Sequence, residues 1–242
     1  MDTFGDPLIK IDPVTGQQTV VANLHGAGGT VADLTRDPVT GAIYFPSTSN
    51  HALYRLALDG SVGQMGNTTW DSSIVMHGLQ WDWDNGVLYG ESSTQYTVAT
   101  LYTVDVSTGA ATEIGPMGPT GFSSLGFDPD NHTMYSTTVD TLYTVDVTTG
   151  VSTQVAMISG GPFTPSGMAY DTDNHTMYAV DNTRDALYTL DLTTGVATQL
   201  STFQPTGDSN VLSLVYLPVP EPASLACLGL GALALMRRRR RR

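Results

Sequence analysis

An all-β fold, a β-propeller of four-stranded blades, follows from three features of this 242-residue chain. A Leu-Tyr-Thr-Val-Asp unit recurs with a period in the forties. Each period carries four short strand signals. The turns between them are built from Asp, Asn, Pro, Thr and Gly, the residues that tight reversals need. The leading leucines Leu8, Leu53, Leu101, Leu142 and Leu187 stand 45, 48, 41 and 45 residues apart. A period of that length made of strands indicates radially repeated blades rather than a helical array.

Within a period the first strand, A, is short and apolar, as in Leu79-Gln80-Trp81, Leu125-Gly126-Phe127 and Met168-Ala169-Tyr170. An aspartate opens the turn that follows, at Asp37, Asp82, Asp128 and Asp171. Strand B closes on a tyrosine: Tyr44, Tyr89, Tyr135 or Tyr178. Strand C is the Leu-Tyr unit, alternating with period two. A Thr-Gly turn then reverses the chain into strand D, such as Val151 to Val155 or Val196 to Leu200. Complete blades are predicted near 31–65, 75–115, 122–158 and 164–203. Val211 to Tyr216 reads as a lone strand A, and residues 7–24 as strands C and D. These two ends are complementary, so about five blades are expected, the fifth incomplete. Aligning Leu8 with Leu187 places Met1 inside that blade. The chain is therefore expected to begin late, with a strand B and an export signal upstream, because Met1 to Asp6 has neither a basic nor an apolar leader.

The end of the chain departs from the repeat. Val219-Pro220-Glu221-Pro222-Ala223-Ser224 is followed by an apolar run to Met236 and by Arg237, Arg238, Arg239, Arg240, Arg241 and Arg242. The prolines hold the backbone extended, a form a processing enzyme can read. The 14 residues from Ala223 to Met236 predict a short apolar helix. It would span about 21 Å at ~1.5 Å per residue, less than the roughly 30 Å hydrocarbon core, so thinning and snorkelling arginines must cover the difference. The arginines stay cytoplasmic and the body faces outward. This three-part order resembles the PEP-CTERM tail of bacterial envelope proteins handled by exosortases. The resemblance implies an exosortase-like partner, transient membrane insertion, and delivery to the cell surface or matrix. The chain thus divides into a repeat body, 1–217, and a sorting and anchor tail, 218–242.

Charge narrows the partners. The formal net charge is −13, and −19 without the six terminal arginines (−13 − 6). Only Lys10, Arg36, Arg55 and Arg184 are basic in the body. Such a body does not bind nucleic acid by neutralising phosphates. The one cysteine, Cys227, lies in the apolar run, so the body has no disulfide and no thiol nucleophile.

His132 and His175 repeat within Asp-Asn-His-Thr-Met-Tyr, which marks them as parts of the structural unit. The Asp-x-Asp-Asn turns lack the closing glutamate of a calcium loop, so side-chain-held turns are expected and weak Ca2+ binding is the alternative. The Asp-x-x-Thr-Gly turns resemble those of quinone-dependent dehydrogenase propellers, but the tryptophan that follows in those repeats is missing, and no cofactor is expected. Residues that break the repeat lie on the face formed by D–A and B–C loops: His25, His77, Glu91, Tyr96, Asp181 and Asp185. His77, Glu91 and Asp181 are the candidate ligand contacts, with no catalytic or metal residue assigned. The favoured reading is a non-catalytic binding or scaffolding propeller for exopolysaccharide or another envelope protein. The alternative is a metal-assisted lyase or hydrolase using that loop face; a third class is a purely structural coat.

Overall fold

Adjacent residues of the Leu-Tyr units are buried together, as Leu53 with Tyr54 and Leu187 with Tyr188, so both faces of a blade are covered, and the blades cover one another. The computed structural model describes residues 3–26, 29–93, 97–160, 165–181, 183–203 and 213–218. A two-stranded antiparallel sheet comes first, β1 (Thr3–Ile11) with β2 (Gln18–His25). Four four-stranded antiparallel sheets follow in a propeller ring. Blade 1 holds β3 (Thr35–Arg36), β4 (Ile43–Ser47), β5 (Ala52–Leu56) and β6 (Val62–Gln64). Blade 2 holds β7 (Met76–Asp82), β8 (Val87–Ser92), β9 (Val98–Val104) and β10 (Ala111–Thr120). Blade 3 holds β11 (Ser124–Asp128), β12 (Thr133–Thr137), β13 (Thr141–Val145) and β14 (Ser152–Met157). Blade 4 holds β15 (Pro165–Asp171), β16 (Thr176–Asp181), β17 (Ala186–Leu190) and β18 (Ala197–Thr202). The repeat thus predicts all four blades in order.

The turns are held as the sequence predicts. Asp82 Oδ1 accepts the amides of Asp84 (2.9 Å) and Asn85 (3.2 Å), while Oδ2 accepts the Asn85 side-chain amide at 2.8 Å. Asp128 and Asp171 repeat this set. In the Thr-Gly turns Asp191 accepts from Thr193 and Thr194, and Asp12 from Val14 and Thr15. These amide bonds lower the Asp12 and Asp191 pKa values below the usual carboxylate range.

The glycine closing each C–D turn does a second job. Gly150 has φ 83°, and a Cβ there would lie 2.6 Å from the Gly115 carbonyl oxygen of the preceding blade. Gly109 meets the Met65 carbonyl and Gly195 the Met157 carbonyl in the same way, while Gly16 meets the Ser201 side chain. Gly60 of blade 1 meets Asn23 on β2. The β1–β2 sheet therefore sits between blade 4 and blade 1. Between these outer seams, clusters such as Tyr135, Leu142, Met168, Met177 and Leu190 join blade 3 to blade 4. Each fully buried leucine contributes roughly 1.5–3 kcal/mol.

A third set of contacts joins the A–B turns. His132 Nδ1 lies 2.7 Å from Asp84 Oδ2, and His175 Nδ1 lies 2.6 Å from Asp130 Oδ2. Tyr170 donates to the same Asp130 oxygen, and Tyr216 donates to Asp173, both at 2.6 Å. Each turn is thereby gripped by the next blade. The two histidines take positive φ, 54° and 53°.

Residues 213–218 occupy the inner-strand place of a fifth blade. Ser213 Oγ donates to Asp33 of blade 1 at 2.8 Å, and Gly167 of blade 4 packs on the Ser213 and Leu214 backbone. The predicted strand A is not formed: residues 213–218 carry no ladder, since among the described residues no strand B lies beside them. Val211 and Leu212 fall outside the described residues, as do the predicted apolar helix and arginine cluster.

Gly150→Ala should destabilise the protein by about 3 kcal/mol, because it adds a clash to a left-handed backbone. Gly86 also has positive φ, 64°, but nothing lies within 4 Å of its Cβ position. Gly86→Ala should cost about 1 kcal/mol. Urea unfolding of the two variants measures the difference, which is the seam's share.

Candidate functional site

Counting four residues back from each turn aspartate gives Asp33, Gly78, Ser124 and Gly167, and Ser213 takes the matching place in the fifth inner strand. Four of the five are small. Asp33 alone is charged, and it is fully buried. Its Oδ1 accepts from the Leu34 amide (2.9 Å) and Ser213 Oγ (2.8 Å); its Oδ2 accepts from the Leu79 amide of blade 2 (3.0 Å). One carboxyl therefore ties blade 1 to blade 2 and to the 213–218 segment.

Glu91 approaches the equivalent place in blade 2 from strand B. Gly78 opposes Glu91 in the β7–β8 ladder, and a Cβ on Gly78 would lie 2.9 Å from Glu91 Oε2 and 3.0 Å from the Leu125 amide of blade 3. Glycine makes the room that the glutamate side chain fills. Glu91 is 0% exposed, and neither carboxyl oxygen has a hydrogen-bond partner among the described residues. The neighbouring Ser93 hydroxyl, which donates to the Phe122 carbonyl at 2.7 Å, opposes part of the burial effect on Glu91. Burial pushes the Glu91 pKa up to about 7. Burial also drives Asp33 well above the usual range, against three hydrogen bonds, and the Glu91 charge adds to the rise. Burial favours the protonated form of each carboxyl. The Glu91 carboxyl can hold a proton near neutral pH.

The other candidates are dispersed. His77 is half-buried at the bulge between Met76 and Gly78, and burial lowers its pKa. Among the described residues no hydrogen bond or ion pair joins it to Glu91. Asp181 is fully buried at the end of β16 in blade 4, where it accepts from the Thr183 and Arg184 amides and pairs with Arg184 Nη1 at 2.8 Å. It braces its own B–C turn. His25 is exposed, with Nδ1 3.2 Å from the Asn23 carbonyl oxygen. Asp185 takes φ 49° in the turn after β16. Tyr96 lies outside the described residues. Glu91 and Asp181 are strand residues in the interior, not members of a solvated loop. Sequence reasoning missed Asp33, although the repeat alignment carries the signal: it is the one charge in a column of small residues. Among the described residues no group of three or more His, Cys, Asp or Glu is placed to hold a metal.

The chain has the fold of a β-propeller, and its C-terminal residues 218–241 match the PEP-CTERM protein-sorting motif. That motif marks an exported protein sorted by an exosortase, a membrane enzyme, with a C-terminal membrane anchor. Among curated proteins none matches the chain. Several solved structures share the fold. A chain of a nidogen–laminin complex aligns with a TM-score of 0.56 and 13% identity, over 83% of this chain and 72% of that one. A gluconolactonase from Xanthomonas campestris aligns at 0.55 and 14%, over 88% and 73%. The virginiamycin B lyase of Staphylococcus aureus aligns at 0.51 and 15%, over 84% and 66%. At these identities the likeness shows the fold alone. Among the described residues no helix is long and apolar enough to cross a membrane; the motif residues Val219 to Ser224 and Arg237 to Arg242 lie outside them.

Glu91 sets a pH dependence with a definite sign. Its folded pKa, about 7, lies above the ordinary 4.5, so the folded state keeps a proton that the unfolded state releases. Its contribution is full below pH 4.5 and is lost as pH rises to about 7. Thermal unfolding should show a loss of about 3 kcal/mol between pH 5 and pH 8. Glu91→Gln should flatten that slope and be the more stable protein at pH 8. The exposed His175–Asp130 pair should matter less: His175→Ala should cost under about 1 kcal/mol in urea unfolding.

Proposed function

We propose that this protein is an exported binding or scaffolding propeller of the cell envelope. The observation that carries the reading is the sorting motif at residues 218–241 joined to a propeller body. The tail holds the chain at the inner membrane until an exosortase-like enzyme processes it, and the body then acts at the cell surface or in the extracellular matrix. Its ligand is exopolysaccharide or another envelope protein. The repeated histidines support a non-catalytic role, because both are engaged in gripping a neighbouring turn.

A metal-assisted lyase or hydrolase is the second reading, favoured by one observation: the buried Glu91 carboxyl, without a partner among the described residues, beside Asp33. It predicts an EDTA-sensitive activity lost in Glu91→Gln.

Fractionation of the native host tests the first reading. The body should appear in surface or matrix fractions with its C-terminus cut near Pro222. Replacing Pro220, Glu221 and Pro222 with alanine should retain the uncut chain in the membrane. An uncut wild-type chain in the cytosol would overturn the reading.

A further inference from the structure

The A–B turns of the four blades share one plan, and two columns of that plan set blade 2 apart. Each turn opens at a buried aspartate, Asp37, Asp82, Asp128 or Asp171. Three residues on stand Thr40, Asn85, Asn131 and Asn174, whose side chains each bond back to that aspartate. Gly41, Gly86, His132 and His175 follow, all with φ between 53° and 73°. Only blade 2 sets an asparagine directly before a glycine, and Asn85-Gly86 is the one such pair in the chain.

We propose that Asn85 is a site of spontaneous covalent modification, deamidated through a cyclic imide. The backbone nitrogen of Gly86 attacks Asn85 Cγ. The bond from Cγ to Nδ2 breaks, and Nδ2 leaves as ammonia, taking the proton that the Gly86 nitrogen gives up. Water then opens the five-membered imide at one of its two carbonyls, leaving aspartate or isoaspartate at 85. Nothing is oxidised or reduced, and solvent water is the only other reactant.

The fold directs the reaction to this turn. Glycine carries no Cβ to crowd the forming ring, and nothing lies within 4 Å of where a Cβ on Gly86 would stand. Asn85 and Gly86 are both exposed, so water reaches them. In the matching turns the residue after asparagine is a histidine anchored to the blade before it. His132 is held by Asp84 at 2.7 Å and His175 by Asp130 at 2.6 Å. Those anchors resist the backbone movement that ring closure needs, and Gly86 has no side chain to be held.

Two hydrogen bonds engage the reacting groups while the turn is closed. Asn85 Nδ2 donates to Asp82 Oδ2 at 2.8 Å, and the Gly86 N–H donates to the Asp82 carbonyl at 3.0 Å. Reaction therefore waits on local opening of an exposed turn, a low-energy event compared with unfolding. The product bears on the blade 2–blade 3 seam. Asn85 gives the Asp82 carboxylate a donor, whereas a carboxylate at 85 gives none and sets like charges against each other. Asp84, between the two in sequence, is the residue that grips His132 of blade 3.

The test holds the full chain at pH 8 in mild detergent, which keeps the apolar tail soluble. Peptide mapping by mass spectrometry follows each asparagine, with electron-transfer fragmentation to tell aspartate from isoaspartate. A free peptide Asp-Trp-Asp-Asn-Gly-Val-Leu runs alongside. Asn85 should convert at least tenfold faster than Asn131 and Asn174, more slowly than the free peptide, and to both products. Gly86→Ala should slow it at least tenfold. Asn85→Asp, which fixes one product, should lower the thermal midpoint by about 3 °C. Equal rates at the three asparagines overturn the proposal, as does an intact Asn85 once the free peptide is fully converted. An unchanged midpoint in Asn85→Asp overturns the effect on the seam.

Discussion

Close backbone approach between blades is the constraint on which the rest of this molecule depends. Each Thr-Gly turn lays a glycine in the left-handed region against the outer strand of the blade before it. A β-carbon there strains its own residue and strikes a neighbouring blade. The repetition of the turn is thus a repetition of the seam. Gly16 against Ser201 and Gly60 against Asn23 extend it to both sides of the β1–β2 sheet, which sits between blade 4 and blade 1.

Polar chemistry reinforces the same seams. The aspartates that open the A–B turns satisfy amides that would otherwise be left without partners at a reversal. The second aspartate of the turn then faces outward and is taken by the next blade's histidine or tyrosine. Because these groups are exposed, each pair is weak and serves register more than stability. Asp33 differs in being buried and bonded on three sides. Glu91 differs again, since it is buried with no partner among the described residues. The likeness of the fold to a laminin-complex chain, a lactonase and a lyase shows how little the scaffold itself selects an activity.

The four blades, their strand order and their turns were legible because period two and the turn residues act locally. The role of His132 and His175 was legible as structural for the same reason, since repetition is visible in one dimension. Asp33 was not found, though its column of small residues is readable after alignment. What hid it is that its partners, Leu79 and Ser213, are 46 and 180 residues away. Glu91 was found as a break in the repeat but placed in a loop. The ladder continues through it, with Glu91 facing Leu101 and Gly78.

The sequence by itself determined the repeat, the blades and the sorting motif, because each depends on residues a few positions apart. Only the tertiary structure decided where charge is buried and how the two ends of the body meet. Burial of Glu91 depends on the space left by Gly78 and on the wall supplied by blade 3. The packing of Leu8 with Val215, and of Ile11 with Leu214, on shared clusters depends on two segments more than 200 residues apart in the chain meeting between blade 4 and blade 1. Neither property belongs to any local stretch, and both arise from packing sheets into a closed ring.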